Sequence, residues 1–227
     1  MHDALIIAII AAVLALDDRA GWGSLLAEPV FSGTLVGLAT GETAAGMSVG
    51  LVLQLVWLSI GAARGSRRPN VVVGGVVAAG VMCLGVREGA DEARLAACAV
   101  FLGLVAGEAG NWTSAVTGRW RERWIEGFKL PADAAAASRR LLAYSAGSAL
   151  YVGLVDGIVV LVGVPAAQRA AALLTGRLGD GARGVELWSL ALPGLALAVM
   201  AHAFATRNLF RFGLVGVLLA VVVTWLF

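Results

Sequence analysis

The stretch that decides the fold runs from Glu28 to Asn70 and reads EPVFSGTLVGLATGETAAGMSVGLVLQLVWLSIGAARGSRRPN. Gly33, Gly37 and Gly41 recur every fourth position, and Gly46 and Gly50 continue the spacing further on. On a helix that spacing lines glycines along one side and lets a second backbone approach closely. Pro29 stands before the run and Pro69 closes it. Between Glu28 and Arg64 the only charged or amide side chains are Glu42 and Gln54. In so apolar a setting they must face protein or water, so this stretch is expected to hold the working part of the molecule.

The whole chain is built like its centre. Of 227 residues, 59% are hydrophobic and 14% charged, where soluble domains carry about 25% charged residues. The deficit is spread along the chain, with apolar segments following one another to Phe227. An all-α integral membrane protein is therefore expected, forming a single domain over residues 1–227: a multi-span bundle with broken or re-entrant helices. The net charge of +2 is too small to argue for nucleic acid. Cys83 and Cys98 both lie in apolar segments and form no CxxC pair, so two packed thiols are expected.

Upstream of the central stretch, Ala4 to Leu16 is uninterrupted apolar sequence between Asp3 and Asp17. A cleaved signal would carry a basic start and a small-residue cleavage site; here Asp3 and the sequence LDDR stand instead. The run covers only about 20 Å of a hydrocarbon core roughly 30 Å thick. It is expected to be half of a broken helix or a span completed by its polar flanks. Leu25 to Thr40, interrupted by Glu28 and Pro29, reads as a partial crossing, whereas Ala44 to Ala63 is long enough to span. Short segments interrupted by Gly or Pro are the usual pointer to a transporter's binding site, because unwound backbone at membrane depth must line a cavity. Glycine packing between helices is the competing explanation.

Downstream, Arg64, Arg67 and Arg68 form a basic loop. Val71 to Val86 is β-branched, glycine-containing and apolar, and a hydrophilic bend from Arg87 to Arg94 follows. Leu95 to Val116 is the next span, interrupted by Glu108, Asn111 and Trp112. In Gly118 to Lys129 the aromatic residues Trp120, Trp124 and Phe128 recur every fourth position among charges, the pattern of a helix lying in the bilayer interface. Residues 119–140 hold six Lys or Arg, which places the amphipathic segment 118–140 in the cytoplasm. Leu141 to Val164 is expected to span, with Asp156 near its middle and Pro165 at its end. Val185 to Ala205 returns, Arg207 and Arg211 lie on the cytoplasmic side, and Phe212 to Phe227 crosses last.

Groups for covalent chemistry are scarce. His2 and His202 lie far apart, and metal-ligand spacing and phosphate-binding GKT or GKS are missing from the sequence. No catalytic residue, metal site or cofactor is assigned. A carboxylate such as Asp156 inside an apolar span is costly, and it points either to function or to a structural pair.

The ordered landmarks Pro29, Gly33, Leu35-Val36-Gly37-Leu38, Gly41-Glu42, Gly46, Gly50, Leu53-Gln54-Leu55-Val56-Trp57 and Pro69-Asn70 resemble the IIC membrane subunit of the mannose/fructose/sorbose-type sugar phosphotransferase system. In that family the run reads approximately RPxxxGxLVGLxxGD, then GxxLELVW, then a loop ending PPD. The basic amphipathic middle, the later spans and the segment RNLFRFGLVG agree in outline, so the resemblance covers most of the chain. It implies a sugar-conducting subunit of the bacterial inner membrane, multi-pass and oligomeric. Such a subunit works with a IID membrane subunit, while soluble IIA and IIB proteins relay phosphate from phosphoenolpyruvate to the incoming sugar. The chain itself then needs no phospho-acceptor.

By position, the resemblance places the sugar pocket at Gln54 and Asn70, within a core of residues 28–70. Glu42, Trp57, Ser32 and Arg68 complete the candidate substrate-binding set. Here the chain departs from the family pattern. Both of the family's carboxylates are amides, Glu28 replaces the arginine before the first proline, and Arg67-Arg68 replace apolar or proline residues. Amides still donate to and accept from hydroxyls, but carboxylates accept charge-assisted bonds about twice as strong, so weaker or altered sugar recognition is expected. Two further readings stay open: a diverged, non-transporting scaffold or regulatory subunit, and a stand-alone secondary transporter coupled to protons through Asp156 and Glu42.

Overall fold

A computed structural model describes residues 2–20, 25–62, 70–126 and 133–177. The candidate residue Arg68, His202, and the spans expected over 185–205 and 212–227 lie outside these residues. Among the described residues every regular element is helical, in the order α1 (His2–Ala20), a 3-10 turn (Leu25–Ala27), α2 (Pro29–Thr40), α3 (Thr43–Ala62), α4 (Val71–Arg87), α5 (Glu92–Glu126) and α6 (Ala134–Arg177). Two of the described stretches, Glu92–Trp120 and Ala135–Thr175, are long and apolar enough to cross a membrane.

The centre of the fold is α4. Every residue from Val72 to Gly85 is buried, as expected of a helix that is apolar on all sides. Its valines would lower helix propensity in isolation, so its stability comes from being enclosed. Around it pack α1, α2, α3, α5 and α6. Glycines set the closest of these approaches. A Cβ on Gly74 would lie 2.6 Å from the Gly103 carbonyl oxygen of α5, and one on Gly85 would lie 2.5 Å from the Leu95 side chain.

The glycine-rich stretch folds as a hairpin of α2 against α3. Gly41 ends α2 with φ +87°, a left-handed conformation that costs any residue with a Cβ about 1–2 kcal/mol. The Glu42 N–H donates back to the Gly37 carbonyl at 2.8 Å, closing the helix end, and α3 begins at Thr43. The two backbones then run in contact. A Cβ on Gly33 would sit 2.5 Å from the Gly46 carbonyl oxygen, and Cβ atoms on Gly46 and Gly50 would collide with the carbonyls of Gly33 and Pro29.

At the outer helices the structure decides one reading that the sequence left open and departs from expectation in two others. The short apolar run near the N-terminus is completed by its polar flanks, because α1 includes Asp3 and Asp17 to Ala20; its 19 residues reach about 28 Å. The basic, aromatic segment after Gly118 continues α5 without a break as far as Glu126, so within the described residues it is an extension of the span. Pro165 does not end α6, which continues to Arg177. Proline removes one backbone donor, a loss that packing around a membrane helix tolerates.

Large apolar side chains face outward on these helices: Leu5, Ile9 and Val13 on α1, Phe101 and Val105 on α5, Leu150, Leu154 and Ile158 on α6. Their spacing of about one turn draws an apolar stripe on each helix, the surface a bilayer would cover.

Candidate functional site

The polar residues of the core collect where the N-terminal ends of α2 and α4 meet the second half of α3. Glu28 precedes α2 in an extended conformation, and its side chain makes no capping bond to that helix. Instead its carboxylate accepts a hydrogen bond from Gln54 Nε2 of α3 at 2.7 Å. One turn deeper, Ser32 is fully buried and donates to the Pro29 carbonyl at 3.3 Å. Its hydroxyl stands over α4, 2.8 Å from where a Gly75 Cβ would be.

A second polar knot forms at the start of α4. Asn70 is the N-cap of that helix: its Oδ1 accepts from the Val73 N–H at 3.1 Å, satisfying a donor that the first helical turn leaves open. Its Nδ2 donates to Asp156 Oδ2 of α6 at 3.0 Å and to Ser114 Oγ of α5 at 3.4 Å. Its backbone N–H donates to the Gly107 carbonyl of α5 at 3.1 Å. Asp156 is 2% exposed, near the middle of α6. One asparagine thus ties α4 to both long helices.

Trp57 connects the two knots. It lies three residues beyond Gln54 on α3, and its ring is laid on Gly74, where a Cβ would come within 2.6 Å of it. Gly74 is one turn beyond Asn70, its N–H bonded to the Asn70 carbonyl at 3.1 Å. Only 6% of Trp57 is exposed, yet among the described residues its Nε1 has no acceptor, and Gln54 Oε1 is likewise buried without a donor. A buried polar atom left unpaired costs about 1–3 kcal/mol. Here an acceptor and a donor, both unpaired, lie one helical turn apart. A ligand hydroxyl, which both donates and accepts, suits such a pair.

The candidate residues therefore divide. Ser32, Gln54, Trp57 and Asn70 come together around the starts of α2 and α4. Glu42 does not join them. It sits in the α2–α3 turn, where its carbonyl accepts a weak bond from Cys83 Sγ at 3.5 Å, and twelve residues of α3 put it about 18 Å from Gln54. The same distance argument separates Glu42 from Asp156: Asp156 is bonded at the start of α4, and Cys83 lies thirteen residues further along, about 20 Å away. A proton path through both carboxylates would have to cross that gap. Glu28, Asp156 and Ser114 were missing from the candidate binding set. For Glu28, the available signal was a charge placed directly before Pro29 and the glycine run; Ser114 carried none. Among the described residues no group of His, Cys, Asp and Glu is arranged to hold a metal ion.

Known proteins place this arrangement. A solved structure described as "Structure of membrane protein" superposes over 97% of this chain and 87% of its own, with a TM-score of 0.68 at 15% identity; at that identity the likeness shows a shared fold alone. A segment of 74 residues, 33% of this chain, is 36% identical to the "Putative N-acetylgalactosamine permease IIC component 2" of Escherichia coli (strain K12). That match spans 55% of the relative, little more than half of its length. Residues 1–226 match the family described as "PTS system sorbose-specific IIC component". The match runs through the glycine hairpin, the amide positions and the long helices alike, and the chain belongs to this family of membrane permease subunits.

Proposed function

We propose that this protein is the sugar-translocating IIC subunit of a phosphoenolpyruvate-dependent phosphotransferase complex. It binds a sugar at the starts of α2 and α4 and conducts it while partner proteins phosphorylate it. The assignment rests on family membership for the class of activity and on one observation for the place. Gln54 Oε1 and Trp57 Nε1 are buried, unpaired among the described residues and complementary, one turn apart on α3. A sugar hydroxyl accepting from the indole and donating to the amide satisfies both at once. The indole face supplies an apolar surface on which a sugar ring can stack. Ser32 and Asn70 border the same region, and Arg68, two residues before Asn70 in the sequence, completes the proposed set.

The hairpin suits a translocation site. The 12 residues of α2 reach only about 18 Å of a roughly 30 Å hydrocarbon core, so α2 enters and returns as a re-entrant element while α3 can span. The N-terminal ends of α2 and α4 then face the substrate, as half-helix ends do in transporters. Residues 28–70 form the pocket core, and residues 118–140 lie at the cytoplasmic interface. The chain works as a multi-pass protein of a bacterial inner membrane, in an oligomeric complex with a IID membrane subunit and with soluble IIA and IIB phosphocarriers.

Uptake by vesicles containing this chain, the IID subunit and the soluble carriers tests the proposal, with neutral hexoses, amino sugars and sugar acids supplied with and without phosphoenolpyruvate. Accumulation of phosphorylated sugar only when phosphoenolpyruvate is present is the expected result. Proton-driven uptake without the partners would instead identify a secondary transporter. A stable IIC–IID complex that takes up no sugar of the panel would identify a non-transporting scaffold.

A further inference from the structure

Glu28 occupies a helix N-cap without capping it. Ser, Thr, Asp and Asn are the side chains that suit that position, and the Glu28 side chain makes no bond to the start of α2. The proline after it restricts its backbone to an extended conformation, here φ −67° and ψ 145°. The backbone is also held from both sides: the Glu28 N–H donates to the Leu25 carbonyl at 3.1 Å, and the Glu28 carbonyl accepts from the Ser32 N–H at 2.9 Å. One residue further on, the Pro29 carbonyl would collide with a Cβ on Gly50, so the start of α2 and the middle of α3 touch backbone to backbone. Gly50 lies one turn before Gln54. This contact brings the Glu28 carboxylate within reach of the Gln54 amide, whose Nε2 donates to Glu28 Oε2 at 2.7 Å.

On the sugar-binding reading of the preceding subsection, we infer that Glu28 is a positioning residue of the site: it acts through Gln54, holding that amide so that Oε1 is presented beside Trp57. An amide has two unlike ends, one that only donates and one that only accepts, whereas a carboxylate only accepts. Facing Glu28, the amide must offer its NH2. Oε1 is then left on the other side, where it is buried and unpaired among the described residues. The opposite orientation would set two acceptors face to face at Glu28. It would also leave an amide NH2 one turn from the Trp57 Nε1–H, two donors with no acceptor between them. The bond to Glu28 is charge-assisted, about twice as strong as a neutral one, and it settles the choice. The same bond keeps Oε1 from turning away to a partner other than the ligand.

The test is a double-mutant cycle on the pair. Equilibrium binding of glucose, galactose, mannose, their 2-amino-2-deoxy forms and the corresponding uronates is measured on membranes holding the full chain and its IID subunit. The thermal transition of each variant is recorded alongside. Glu28→Ala releases the amide and should weaken binding of the preferred sugar about five-fold, the worth of one oriented hydrogen bond. In a Gln54→Ala background the same change should alter binding less than about two-fold, because a residue that acts through Gln54 then has nothing to position. Glu28→Arg reverses the chemistry: a guanidinium only donates, so it draws Oε1 to itself and turns the NH2 toward Trp57. It should weaken binding more than Glu28→Ala does, by at least about ten-fold. Adding Gln54→Glu to Glu28→Arg gives the guanidinium a carboxylate, whose second oxygen again presents an acceptor. Binding should return to within about three-fold of the unaltered chain.

A further fall of about five-fold on Glu28→Ala in the Gln54→Ala background would show that Glu28 acts on the fold or on the sugar without Gln54, and overturns the inference. Unchanged binding in both Glu28→Ala and Glu28→Arg overturns it equally while leaving the sugar site standing. Where Glu28→Ala does not fold, the rescue decides. A folded Glu28→Arg, Gln54→Glu double variant that binds no better than Glu28→Arg alone is the contrary result. If the unaltered chain binds none of these sugars, the site proposed above fails, and this assignment fails with it.

Discussion

The two ends of the α2–α3 hairpin are made from the same apolar, glycine-rich sequence and behave oppositely. At the turn end nearly every polar group has a local answer. Gly41 supplies the left-handed residue, Glu42 N–H closes on Gly37, and Thr40 Oγ1 donates to the Val36 carbonyl at 2.8 Å. At the open end, Glu28 and Gln54 bond to each other across elements, and Gln54 Oε1 and Trp57 Nε1 remain buried and unpaired among the described residues. The difference teaches how a small membrane fold can hold an unsatisfied site. Backbone-to-backbone packing along Gly33, Gly46 and Gly50 fixes the hairpin from one end to the other, so the open end need not be stabilised by its own side chains. Membrane helices cannot rely on the hydrophobic effect to associate, and close glycine contacts supply the van der Waals contact in its place.

The sharpest way to break the comparison is to wedge the hairpin apart. Gly46→Leu puts a branched side chain where even a Cβ collides with the Gly33 carbonyl. Overpacking of a close-fitted interior costs about 1–3 kcal/mol and occasionally more, and here the obstacle is backbone, which cannot rotate aside. Loss of a monodisperse, folded protein in detergent is expected, with the thermal transition lowered by well over 5 °C or absent. A normal transition would mean that the two helices do not need their close contact.

Gly41→Ala tests the turn end alone. Its neighbourhood is open, with no atom within 4 Å of an added Cβ, so the effect isolates the conformational strain of φ +87°. A destabilisation of about 1–2 kcal/mol is expected, with sugar binding changed less than two-fold because the proposed site lies at the other end. A large loss of binding at unchanged stability would connect the turn to the site and remove the division of labour between the ends.

How much of this was legible in the sequence follows the range of the interactions. Gly33, Gly37, Gly46 and Gly50 announced a close helix contact through a local period, and the contact is there. Gln54 and Asn70 stood out as polar residues in apolar surroundings. Their partners were not legible: Gln54 finds Glu28 at 26 positions away and Asn70 finds Asp156 at 86. Glu42 was grouped with Gln54 because both are isolated polar residues of one stretch. A hairpin turn at Gly41 puts Glu42 at one end of α3 and Gln54 well toward the other, a separation that no property of the residues themselves announces. Pro165 illustrates a weaker kind of signal. Proline is a local helix breaker, but enclosure among neighbouring helices decides whether it breaks one, and α6 continues past it.

The smallest structural effect carries the most specific test of the open end. Trp57→Phe keeps a ring over Gly74 and removes only the indole Nε1–H and part of the bicyclic surface. In a fully satisfied core, deleting a hydrogen-bonding group costs stability, because its partner is left unpaired. Trp57 Nε1 has no partner among the described residues, so its removal strands none of them, and the relief of an unpaired buried donor offsets the lost packing. The thermal transition of the sugar-free protein should therefore move by no more than about 2 °C, since a domain of this size shifts roughly 2–4 °C per kcal/mol. Sugar binding should nevertheless fall about five- to ten-fold, the worth of one hydrogen bond to the ligand of about 1–1.5 kcal/mol. A fall in stability with no change in affinity would place the indole in the scaffold, and the open end would then be no different in kind from the turn.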